Sequence, residues 1–181
     1  MLPSEHVVET QRQPEPITYN VSTYLGMILA RSRESPQNIK DYLLGDVAPR
    51  IPNFDTFDAF YIMVPPRFAP LLEMFTTKFD ELFGGRINGR CYTTEQTLHA
   101  KTVVPWDREL FIAIGCDNAR FGLHRFSVLP PPTSSFAMIM AVGYYIIGHI
   151  QAQRPPWFKQ HAAEYEEIQK KLFRSFTGDV G

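Results

Sequence analysis

Apolar residues recur along this chain in three ways, and each predicts a different kind of element. From Arg67 to Phe83, Phe68, Leu71, Leu72, Phe75, Phe79, Leu82 and Phe83 follow i, i+3, i+4 spacing, with Glu73, Lys78, Asp80 and Glu81 facing elsewhere. That pattern predicts an amphipathic helix, ended by Gly84-Gly85. Shorter helices are expected over Val21–Ser32, over Pro36–Leu44 with proline in its first turn, and over Thr93–Ala100. Ala59–Val64 and Leu110–Gly115 are short continuous apolar runs, each readable as a strand or as a buried turn of helix. Asn88-Gly89 predicts a turn after the helix C-cap.

The third pattern is continuous. Phe136–Ile150, FAMIMAVGYYIIGHI, has no polar side, and the 28 residues from Phe126 to Gln153 contain no Asp, Glu, Lys or Arg. Fifteen residues rise about 22 Å as an α-helix, short of the roughly 30 Å hydrocarbon layer, whereas Ser134–Ala152 rises about 28 Å. An all-round apolar helix is either a membrane span or the centre of a large core. Ala137, Ala141 and Gly148 form a narrow small-residue stripe of the kind through which spans associate, which favours the span and predicts that Gly148→Leu weakens assembly more than Ile147→Leu. Pro130-Pro131-Pro132 stiffens the approach, and Thr133, Ser134 or Ser135 is expected to cap the helix. Beyond it, Trp157 between Arg154 and Lys159 has the composition of an interfacial anchor. A charged helix follows over 157–176.

The expected organisation is therefore mainly α. An extended arm spans 1–19, a mostly helical, proline-interrupted region 20–130, a single transmembrane helix 134–152 and a C-terminal amphipathic helix 157–176. Composition sharpens this. With 44% hydrophobic and 20% charged residues and a mean hydropathy of −0.19, at most one span fits. A net charge of −1 gives no electrostatic case for a nucleic-acid partner. Fifteen prolines and fourteen phenylalanines suit long ordered connections that lean on neighbours, a habit of subunits in assemblies. Cys91 and Cys116 are too few for a disulfide framework and read as buried thiols, with a single bridge the alternative. The N-terminus shows neither a secretory h-region nor an Arg-rich transit peptide.

Candidate chemistry is sparse. The five histidines form no HExxH, no GxSxG or Walker sequence occurs, and Cys116 with His124 is too wide for a zinc pair, so no catalytic, metal or cofactor residues are expected. Asp55 and Asp58 could share a helix face as paired carboxylates but read as surface acids, and His149 is the one ionisable group inside the apolar helix. Arg86, Arg90 and Lys101 are candidates to meet lipid phosphates if the chain is membrane-bound.

Ser134-Ser135-Phe136-Ala137-Met138, Gly143-Tyr144, Arg154 and His161 together resemble subunit f of the mitochondrial F1Fo ATP synthase. The resemblance covers about a quarter of the chain, which departs from that family in its long N-terminal portion and its charged helix after Trp157. It implies a non-catalytic accessory subunit of the mitochondrial inner membrane that packs beside subunit a and the peripheral stalk. Lipid, cardiolipin included, would then surround it, and Ala137, Ala141, Gly143 and Gly148 would be helix-packing positions. Two other readings stay open: a soluble structural assembly protein, viral or phage-like, with 136–150 as its core helix, or a single-span accessory subunit of another respiratory complex. An enzyme ranks last.

Overall fold

The computed structural model describes residues 22–99, 101–154 and 160–176. The elements run α1 (Ser22–Ser32), α2 (Pro36–Tyr42), β1 (Ala59–Val64), α3 (Leu72–Phe83), β2 (Asn88–Thr93), α4 (Thr94–Leu98), β3 (Glu109–Ile114), β4 (His124–Val128), α5 (Phe136–Gln153) and α6 (Ala162–Phe176). The protein is α/β, built on a four-stranded, wholly parallel sheet of order β2-β1-β3-β4. This corrects the expectation of a mainly α chain with a transmembrane helix. Among the described residues, no helix is long and apolar enough to cross a membrane, so the membrane-subunit description fails with it.

The sheet explains the two ambiguous apolar runs. A strand inside a parallel sheet is covered on both faces and so reads as a continuous apolar stretch without alternation. Every residue of β1 and β3 is buried, Glu109 included. Side chains still alternate between the two faces. Phe60, Ile62, Val64, Leu110, Ile112 and Ile114 enter a large core beneath α3 and α5, while Tyr61, Met63, Phe111 and Ala113 form a smaller cluster on the second face. The edge strands β2 and β4 are only partly covered. Asn88 and Gly89 are the first residues of β2 and not a turn. Gly89 is needed there because a side chain would run into the Phe79 ring of α3.

Helix α5 lies on the first face with Ala137, Val142, Ile146 and Ile150 fully buried. Its N-terminus carries no hydroxyl cap from Ser135. Instead the Glu34 carboxylate, from the bend between α1 and α2, accepts hydrogen bonds from the backbone N–H groups of Ser135 (2.8 Å), Ala137 (2.8 Å) and Met138 (3.3 Å). A carboxylate there meets both the orphan donors and the positive end of the helix dipole. At the other end Gln153 accepts from the Phe54 N–H and donates to the Pro52 carbonyl. The polar ends of α5 are thus satisfied by protein, and its apolar surface by the sheet, α3 and α1. This is why an all-round apolar helix is here a core helix.

Candidate functional site

The connections between strands place a crevice at the carboxyl ends of β1 and β3. From β1 the chain passes over the first face through α3 to β2, on one side of β1. From β2 it crosses the second face through α4 and 101–108 to reach β3, on the other side of β1. The second crossing is marked by the Tyr61 hydroxyl donating to Thr97 (3.2 Å), Lys101 lying over the Tyr92 ring, and Arg90 pairing with Glu109 through two oxygens (2.6 and 2.8 Å) beneath it. Neighbouring strands whose connections leave on opposite faces open a gap at their carboxyl ends, the usual ligand position in open α/β sheets.

The β3–β4 connection, residues 115–123, joins two parallel strands without a helix. A parallel crossover normally takes a dozen residues or more, so this one must turn sharply. Gly115 and Gly122 both sit at φ +77°, in the left-handed region where a β-carbon is penalised. At Gly122 a side chain would also collide with Phe111. Between them the buried Asn118 accepts from the N–H groups of Arg120 (3.3 Å) and Phe121 (2.8 Å) through its side-chain oxygen, and donates its amide to the Phe121 carbonyl (2.8 Å). Such Asx turns let side chains replace missing backbone partners.

Against this loop lies a cleft of about 230 Å³ lined by Met63, Thr94, Leu98, Asp117, Asn118 and Phe121, with Ala119 and Arg120 at its rim. Its chemistry is largely apolar and unprimed. Burial, with Asp117 nearby, pushes the Cys116 thiol up to about 11, the opposite of what a nucleophilic cysteine requires. Asp117 accepts from the Asn118 N–H (2.9 Å), and both ends of the Asn118 amide are committed to the loop. Leu98 leads away from the cleft to the rest of the crossing segment, where large apolar side chains face solvent. Leu98 is 65% exposed, Val103 71%, Val104 82% and Trp106 45%.

The residues singled out in the sequence fall mostly elsewhere. Ala137, Ala141 and Gly143 are buried, and a side chain at Gly143 would strike the Phe75 ring of α3, whereas Gly148 is exposed with nothing within 4 Å. Arg154 ends α5 and donates to the Asp58 carboxylate (2.9 Å) and the Asp55 carbonyl (2.6 Å). Trp157 and Lys159 lie outside the described residues. Asp58 also pairs with Arg108, and the Arg108 hydrogen bond leads in holding its carboxyl down at about 2. That arrangement is a clamp between the amino ends of β1 and β3, to which Asp55 contributes its backbone carbonyl. His149 rests edge-on against Tyr145 at 4.6 Å between centroids. Of the lipid-phosphate candidates, Arg90 is held by Glu109 and Lys101 by Tyr92, and Arg86 sits in the turn after α3. Cys91 and Cys116 are both free thiols. No group of His, Cys, Asp and Glu suited to a metal ion occurs among the described residues.

Sequence reasoning passed over the loop that builds the cleft. Its signal is present: an apolar run ending in Gly115, then Asp117-Asn118 and a second glycine at 122, is the composition of a tight strand exit.

No protein-family model matches the chain, and no curated protein matches it.

Proposed function

We propose that this protein is a non-catalytic assembly component that holds a partner polypeptide on the second face of its sheet. An apolar side chain of the partner sits in the cleft at the carboxyl ends of β1 and β3. The observation that carries this reading is the size and setting of the cleft. Pockets for drug-sized ligands and cofactors run to roughly 300–1,000 Å³, and this one holds about 230 Å³. That suits a single anchor side chain of the kind that dominates protein interfaces. Further apolar surface is available on the same crossing segment, where the exposed Val103, Val104 and Trp106 follow Leu98 of the cleft wall. The raised Cys116 thiol and the self-satisfied Asn118 favour recognition over nucleophilic chemistry.

Site-directed photo-crosslinking in the native host tests the reading. A photoreactive residue at Val104 is expected to give discrete adducts with a partner chain, and Ala119→Trp, which fills the cleft from its exposed rim, is expected to abolish them. Equal adducts from position 44, an exposed leucine in the turn after α2, or adducts indifferent to Ala119→Trp, would refute it.

A further inference from the structure

A different surface carries an interaction of its own. Helix α6 presents Tyr165, Ile168 and Leu172 at i, i+3, i+7, the spacing of a coiled-coil seam, with Ile168 44% and Leu172 52% exposed. With Tyr165 and Leu172 at a and Ile168 at d, Glu164 and Lys171 both occupy g, flanking the seam on the same side. The helix is supported locally. Glu166 and Lys170 pair at i, i+4 (3.8 Å) away from the seam, and Gln169 donates to the Tyr165 hydroxyl (2.5 Å) along it. Charge over the helix balances, with Glu164, Glu166 and Glu167 against Lys170, Lys171 and Arg174, so an anionic membrane surface has little to attract.

We infer that α6 pairs with α6 of a second copy of this chain, antiparallel, with Tyr165 of each packed beside Ile168 of the other and Glu164 of each facing Lys171 of the other. The charge pattern selects the orientation. When two identical helices lie antiparallel, g flanks meet g flanks, and the register that sets 165 against 168 opposes 164 to 171 twice by symmetry. When they lie parallel, g meets e, and the e position five residues after Glu164 is the uncharged Gln169. The two-fold axis also closes the association at a dimer. Two heptads are short, so the pairing is concentration-dependent and its ion pairs salt-sensitive. This inference is independent of the cleft and stands or falls separately from it.

Sedimentation equilibrium of the full chain, over a roughly hundred-fold range of concentration at low salt, reads the pairing. The wild type is expected to dimerise. Lys171→Glu alone and Glu164→Lys alone each place like charges opposite one another and are expected to weaken dimerisation roughly tenfold or more. The double swap restores the complementary pairs and the dimer. Mixing the two single variants gives a heterodimer in which one chain carries lysine at both g positions and the other carries glutamate at both, and it is expected to bind as the wild type does. Ile168→Asp removes association by any route through the seam. A wild type monomeric throughout, a dimer indifferent to the charge reversals, or a mixture no stronger than its components would overturn the inference.

Discussion

Replacing Glu34 tests what makes α5 a core helix. Its carboxylate accepts from three N–H groups at the start of that helix. A hydrogen bond to a charged group contributes about 1.5–3 kcal/mol net when buried, but Glu34 is half-buried and water can replace part of each bond. An N-terminal cap is independently worth about 0.5–2 kcal/mol, and a charge at the dipole about 0.3–1 kcal/mol. Counting about 1 kcal/mol for each of the three half-solvated bonds, Glu34→Ala is expected to cost about 3 kcal/mol. Glu34→Gln keeps one acceptor oxygen and is expected to cost about half of that. For a chain of this size, about 3 kcal/mol lowers Tm by roughly 6–12 °C. Urea and thermal unfolding followed by far-UV circular dichroism would measure both, with Ser134→Ala and Ser135→Ala expected to stay within about 0.5 kcal/mol. A Ser135→Ala loss larger than that of Glu34→Ala would mean that the hydroxyl, and not the distant carboxylate, starts the helix.

Along α5, Gly143→Ala is expected to destabilise by about 1–3 kcal/mol, because its β-carbon meets the Phe75 ring, and Gly148→Ala is expected to be neutral or to stabilise by up to about 1 kcal/mol. Denaturant midpoints would also show Ile147→Ala, with that residue 1% exposed, costing about 2–5 kcal/mol, far more than Gly148→Leu at an exposed position with nothing within 4 Å. Asp58 titrates near 2 in the folded chain against about 3.9 when unfolded, so its contribution to stability is fully present above about pH 4 and is lost as pH falls toward 2. Asp58→Asn is therefore expected to flatten the stability profile in that window, measured by urea titrations at each pH. Burial pushes the Cys91 thiol up to about 12, so at neutral pH alkylation followed by mass spectrometry is expected to be slow at Cys116 and slower still at Cys91.

Local patterns in the chain are legible where one face is solvated. The Arg67–Phe83 periodicity becomes a 3₁₀ turn over Pro66–Leu71 running into α3, and the Thr93 helix start is realised with Gln96 in a reciprocal capping box. Illegibility begins where burial is complete. β1 and β3 lose their alternation because both faces are covered, and α5 loses its polar side for the same reason. What separates a core helix from a span is then the fate of its ends, and Glu34 and Gln153 act on partners about a hundred residues away. β2 was disguised by an Asn-Gly pair that ordinarily turns, with Gly89 required by the Phe79 ring and not by a reversal. The cleft was hidden for a related reason: its walls come from β1, α4 and the loop after β3, which only the strand order brings together.

The two tethers of α5 also set a timetable. Glu34, Pro52 and Phe54 leave the ribosome long before Ser135–Gln153, the residues they bind. Until that last stretch emerges, the first face of the sheet lacks its main helix, and Phe60, Ile62, Ile112 and Phe75 have no complete cover. Domains generally fold as units during synthesis, and an incomplete one exposes apolar surface to its neighbours. For this chain the exposed interval runs from the emergence of β1 to that of α5. The first third of the chain and α5 must therefore meet before the strands between them are protected, so the order of synthesis puts the closing of the core near its end.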